Sequence, residues 1–117
     1  MYEALMVKSR ATHARRLRVA RAFAARLQDE LGPSLRRVVL YGSVARGDDH
    51  RASDIDLLVE VRRRTRPVED RISDAVIEVA ADQGELVVPI VLTPAEVRKR
   101  LPASFLERLQ AEGKVLV

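Results

Sequence analysis

The chain has no cysteine and no tryptophan, so it lacks a disulfide framework, a thiolate nucleophile and a thiolate metal site. Asparagine is absent as well, and arginine rather than lysine supplies nearly all of the positive charge. Aromatic residues make up only 3%, namely Tyr2, Phe23, Tyr41 and Phe105. That is too few for a set of base-stacking platforms. No apolar run approaches the roughly 18 residues that a membrane span needs, and the stretch Met1 to Arg10 lacks a signal-peptide core. The expectation is a cytoplasmic protein without membrane attachment.

What is present is globular. The chain has 117 residues, 47% hydrophobic and 32% charged, a balance suited to one domain around one core. Its net charge of +4 favours anionic partners such as nucleotides or RNA. An arginine-rich composition also arises from a GC-rich or thermophilic source, so charge alone names no partner. The run Arg62–Arg66 reads as a solvated linker, because no aromatic set accompanies it; direct nucleic-acid binding is the secondary reading. His13 and His50 are too far apart in sequence to suggest zinc.

Apolar residues at Leu17, Ala20, Ala24, Leu27 and Leu31 recur three and four apart, which predicts a helix from about Lys8 to Leu31. Its other face is basic, with Arg15, Arg18 and Arg26 expected in solvent. Gly32-Pro33 ends it. Arg37 to Tyr41 reads as a short buried strand, broken by Gly42-Ser43; one helical turn at Val44 to Arg46 and a polar loop through Ser53 follow. From Asp54 to Val61 the period is two, with Ile55, Leu57, Val59 and Val61 on one side and Asp54, Asp56, Leu58 and Glu60 on the other. A second helix is expected from Val68 to Ala81, with Ile72, Val76, Ile77 and Ala80 inward. Glu85 to Leu92 is a third strand in which Pro89 implies an edge or a bulge. Thr93-Pro94-Ala95-Glu96 has the form of a capping box, and a last helix spans Ala103 to Glu112, ahead of Gly113 and an apolar tail. The order α-β-β-α-β-α predicts a small mixed sheet covered by helices, an α/β (α+β) single domain over residues 1–117.

Chemistry concentrates in Leu40 to Val59. Gly42 allows a sharp turn with no Cβ between backbone and ligand, and Ser43 adds a hydroxyl. Ten residues later come Asp54 and Asp56, spaced so that both carboxylates leave a strand on one face. Two adjacent carboxylates repel each other unless cations share the space. Magnesium prefers such oxygen donors and is usually held by one or two carboxylates plus substrate phosphates.

The pattern G-S-x10-D-x-D resembles the signature of the polymerase-β-like nucleotidyltransferase superfamily, and in a chain this short it looks most like the minimal nucleotidyltransferase (MNT) domain. The resemblance implies Mg²⁺-dependent transfer of AMP from ATP, with two metal ions held at Asp54 and Asp56. Gly42, Ser43 and Arg46 would position the triphosphate, Arg46 standing where relatives carry a basic residue. Ser53 would either touch phosphate or cap the strand. A third catalytic acid belongs on the next core strand, and alignment of Pro89 and Thr93-Pro94 puts Leu86 there. Glu85 is the nearest carboxylate and would reach the site only through a bulge.

Such domains resemble antitoxins whose partner is a small helical HEPN toxin, modified on a tyrosine hydroxyl. Two other readings stay open: a binding module that neutralises its partner by contact alone, and an enzyme acting on a small molecule, which would need a homo-oligomer to hold its acceptor.

Overall fold

The computed structural model describes residues 2–50 and 52–117, with side chains from Thr12 onward. The first helix, α1 (Tyr2–Leu31), starts earlier than the expected Lys8, and a 3-10 turn at Gly32–Ser34 ends it. Ala20, Ala24, Leu27 and Leu31 are buried as the spacing requires, and Val19 and Phe23 join them. Arg16 is also buried, at 4% exposure. It lies four residues before Ala20, on the apolar stripe rather than on the basic face.

Four strands follow: β1 (Leu35–Tyr41), β2 (Ile55–Val61), β3 (Val87–Leu92) and β4 (Lys114–Val115), forming one sheet in the order β3-β2-β1-β4. β1 is antiparallel to β2 and β4, while β2 and β3 are parallel. A short helix α2 (Gly42–Arg46) joins β1 to β2, and α3 (Arg66–Gln83) crosses from β2 to β3. Helices α4 (Pro94–Arg100) and α5 (Ala103–Glu112) come after β3. This is the expected mixed sheet covered by helices. The addition is β4, made from the apolar tail: Leu116 donates its amide to the Val38 carbonyl at 2.8 Å. A strand of two residues is too short for a sequence period to reveal.

β2 explains how the layers divide. Ile55, Leu57, Val59 and Val61 enter the core under α1 and α3, together with Phe23, Leu40 and Ile72. Leu58, between Asp56 and Glu60 on the opposite side, enters a second cluster with Val39, Leu92, Val97 and Leu109 under α4 and α5. Both faces of the strand are therefore covered beyond Asp56. Glu60 is buried too and pairs with Arg37 on the neighbouring strand, as a buried charge must.

The face of α3 differs from expectation. Ile72 and Ala75 are buried, whereas Ile77 is 66% exposed and Ala80 is also exposed. A helix turning 100° per residue carries Ile72, Ala75 and Val79 on one side and leaves Ile77 off it. β3 is an edge strand, which accommodates Pro89. The strand begins at Val87, so Glu85 and Leu86 precede it.

The capping box at α4 is complete, with the Thr93 hydroxyl accepting from the Glu96 amide and the Glu96 carboxylate accepting from the Thr93 amide. Arg64 grips the same carboxylate through Nε at 2.8 Å and Nη2 at 2.7 Å. This two-pronged contact, aided by the cap, lowers the Glu96 carboxyl from its ordinary 4.5 to about 2. A depressed folded value means that the stabilisation is whole above the unfolded value and fades as pH falls through the folded one. Glu96→Gln should therefore lower the urea midpoint at pH 7, with a gap to the parent that narrows steadily from about pH 4.5 towards pH 2. A gap constant with pH would show that the charge on Glu96 contributes nothing.

Candidate active site

The end of β1 and the start of β2 lie side by side, with Tyr41 opposite Asp56 in the antiparallel register. Gly42 then turns the chain at φ +77°, a conformation that side chains with a Cβ adopt at a cost of about 1–2 kcal/mol. Space is the stricter limit. A Cβ at Gly42 would stand 2.5 Å from Oδ2 of Asp56 and 3.3 Å from its Cγ. The glycine backbone thus lies directly against the carboxylate, so the turn and the acidic pair form one site.

Asp54 is exposed and Asp56 half-buried. They emerge on the face that α4 and α5 cover farther along β2 but leave open here. Burial raises the Asp56 carboxyl above its ordinary value and the charge of Asp54 adds to the rise, while Arg46 opposes it. Burial also lifts the Tyr41 phenol to about 12, again with help from Asp56. In both groups burial is the larger cause and the neighbouring carboxylate adds to it.

Ser43 follows Gly42 in the first turn of α2, and its carbonyl accepts the amides of Gly47 at 3.0 Å and Asp48 at 3.1 Å. Arg46, at the other end of α2, contacts Asp48 at 3.1 Å and Glu112 of α5 at 3.4 Å. A cleft of about 150 Å³ opens next to it, lined by Tyr41, Gly42, Phe105, Arg108 and Glu112 among others. Ser53 is engaged within its loop: its hydroxyl accepts from the His50 amide at 2.9 Å, and its amide donates to the His50 carbonyl at 2.9 Å.

Glu85 is not brought to the acidic pair. The β2–β3 register runs without a bulge from Ile55 opposite Val87 to Glu60 opposite Leu92. Glu85 is buried against α1, with Oε2 3.3 Å from Arg16 Nε. By the same register Leu86 falls next to Asp54, and it is 52% exposed. Among the described residues no group of three or more histidine, aspartate or glutamate side chains is placed to share a metal ion. Two carboxylates are thus the protein's whole acidic contribution among those residues, a donor set that fits magnesium shared with substrate phosphates.

Two residues that sequence reasoning passed over support the loop from Gly47 to Ser53. Asp49 is buried within it and bonds both His13 and Arg16, the latter at 2.9 Å. These contacts hold its carboxyl below the ordinary value against the opposing effect of burial. Arg16 was legible as an arginine at an apolar-stripe position; nothing in the sequence marks Asp49.

These features are those of a nucleotidyltransferase, and the chain belongs to the nucleotidyltransferase domain family, whose model matches residues 20–112. A candidate protein adenylyltransferase of Methanocaldococcus jannaschii is 31% identical over 83 residues, which is 71% of this chain and 80% of that protein. Among solved structures, a candidate nucleotidyltransferase from Sulfolobus solfataricus superposes with a TM-score of 0.61 at 22% identity, over 92% of this chain and 84% of its own. A toxin–antitoxin structure with AMP-PNP gives 0.58 at 19% identity, over 83% and 72%. At such identities the structural matches speak for the fold.

The tightness at Gly42 makes a direct prediction. Gly42→Ala should lower the melting temperature by roughly 5–10 °C, from the backbone strain. It should also weaken Mn²⁺ binding about tenfold or more, because Asp56 must move to admit the methyl group. Calorimetry and Mn²⁺ titration by electron paramagnetic resonance would measure the two effects. Unchanged Mn²⁺ affinity would remove Gly42 and Asp56 from a common site.

Proposed function

We propose that this chain transfers AMP from ATP to a hydroxyl of a partner protein, with a tyrosine of a HEPN-type toxin as the acceptor. The observation that carries the reading is the contact of Gly42 with Asp56, which joins a Gly-Ser turn to a pair of carboxylates. Membership in the nucleotidyltransferase family supports the reaction class, and the relative named as a protein adenylyltransferase supports a protein acceptor. The toxin–antitoxin neighbours support an antitoxin role.

In the reaction, the acceptor oxygen bonds to the α-phosphorus of ATP, the bond to the bridging oxygen breaks, and pyrophosphate leaves. The acceptor proton passes to solvent. Asp54 and Asp56 would hold Mg²⁺, which when bound offsets the negative charge that grows on attacking and leaving oxygens. Ser43 and Arg46 would hold the triphosphate; a guanidinium suits phosphate oxygens. For that, Arg46 must leave Asp48 and Glu112, a small rearrangement on an exposed surface.

A second reading is favoured by one observation, an exposed Leu86 beside Asp54, at the position where the family resemblance implies a third acid. On that reading the chain binds its partner and no longer modifies it.

An intact-mass assay separates the two. The protein is mixed with Mg²⁺-ATP and the small helical protein expected to be encoded beside it. We expect the partner to gain one or more AMP units. Asp54→Asn should slow the gain about a hundredfold or more, as the loss of several kcal/mol of charge stabilisation requires. A tight complex without mass change would favour the binding module, and restoration of transfer by Leu86→Asp would identify the missing acid as the reason.

A further inference from the structure

Among the described residues the Arg16 guanidinium bonds towards the loop and towards β3, and both paths lead to the same place. Nη1 donates to Asp49 Oδ2 at 2.9 Å and to the His50 carbonyl at 2.6 Å. His50 is in turn tied to Ser53 by a reciprocal pair of hydrogen bonds, each 2.9 Å. In the other direction Nε meets Glu85 Oε2 at 3.3 Å. The next residue, Leu86, accepts the amide of Ile55 at 2.9 Å. One arm ends on Ser53 and the other on Ile55, the two neighbours of Asp54.

We propose that Arg16 is a positioning residue for the nucleotidyl-transfer site: from inside the core it brackets Asp54 and fixes the angle at which the acidic pair leaves β2. The inference rests on the nucleotidyltransferase reading and assigns Glu85 a place within this bracket in place of a role at the metal.

The physical case is one of burial. The Arg16, Asp49 and Glu85 side chains are 4%, 2% and 9% exposed. Charges this deeply buried persist only when paired and hydrogen-bonded. An apolar residue in place of Arg16 would cover the sheet equally well, but it could not reach both the loop and the approach to β3. Arginine's planar fork can bond two separate acceptors at fixed angles; the ammonium of lysine concentrates its charge at one point. Asp54 itself is exposed, so its orientation is set largely by the backbone of Ser53 and Ile55.

The test uses Arg16→Lys, which keeps the buried positive charge and loses the fork, with Asp49→Asn as a second variant that weakens the loop arm by removing its charged acceptor and leaves the Glu85 arm intact. Amide hydrogen exchange at Ile55 and Ser53 is measured on each folded protein, alongside Mn²⁺-ATP affinity and the Mg²⁺ dependence of transfer. We expect both amides to exchange faster in Arg16→Lys and only Ser53 in Asp49→Asn. Mn²⁺-ATP affinity should fall about tenfold or more in Arg16→Lys, the usual size for groups that orient metal ligands. The Mg²⁺ requirement for half-maximal transfer should rise in parallel. A variant that melts earlier yet binds Mn²⁺-ATP with the parent's affinity would overturn the positioning role and leave Arg16 as a stabilising residue only. Unchanged exchange at Ile55 and Ser53 in well-folded Arg16→Lys would also overturn it. If the parent itself binds no Mn²⁺-ATP, the nucleotidyltransferase reading falls, a result distinct from either of these.

Discussion

The structure depends on what β2 is made to do. It is flanked by strands on both sides and covered on both faces over most of its length, so Leu57, Leu58 and Val59 are all fully buried. At its beginning stand two carboxylates, Asp54 just before the strand and in solvent, Asp56 within it and half-buried. A core strand is the stiffest element available to a small domain, and side chains at its end inherit that stiffness. The cost is electrostatic. Burial and the neighbouring Asp54 both disfavour the charged form of Asp56, so the strand carries a local conflict that the core is strong enough to hold.

That conflict orders the surroundings. Beside Asp56 the chain must pass without a side chain, and Gly42 supplies both the missing Cβ and the positive φ. The adjacent Tyr41 is edge-on to Phe105 of α5, at 5.2 Å between ring centres, which ties the second layer to the same corner. Arg46 partly offsets the charge on Asp56 but is itself shared with Asp48 and Glu112. Among the described residues the acidic pair is thus incompletely neutralised. That is the arrangement expected where a cation and a phosphate chain arrive together.

The parts legible in the sequence were those set by local rules. The α1 stripe from Ala20 to Leu31, the period of two in β2, and the Thr93–Glu96 box each depend on residues close in sequence, and the structure has them all. Gly42 and Asp56, paired in the sequence pattern, do come together, since one follows the end of β1 and the other lies at the start of the adjacent β2. What escaped depends on distant partners. β4 exists because β1 has a free side to receive it, and Ile77 is exposed because the face of α3 is chosen by the sheet beneath it. Glu85 lies near the motif in sequence, yet its partner, Arg16, comes from 69 residues away. No local rule reports such a pairing.

Among the described residues no third carboxylate joins Asp54 and Asp56, which bears on what the proposed site would modify. An acid on β3 would serve to draw the proton from an attacking hydroxyl, and Leu86 cannot. A site of this kind suits an acceptor that sheds its proton with little help. A tyrosine phenol ionises near 10, far more easily than the aliphatic hydroxyls of serine or a sugar, so it is the protein hydroxyl least dependent on a base. The exposed Leu86 and Val88 offer an apolar surface beside Asp54 and Asp56, against which an aromatic ring rests more favourably than a sugar does. On the proposed reading, a site short of a general base is matched to the class of hydroxyl that needs one least.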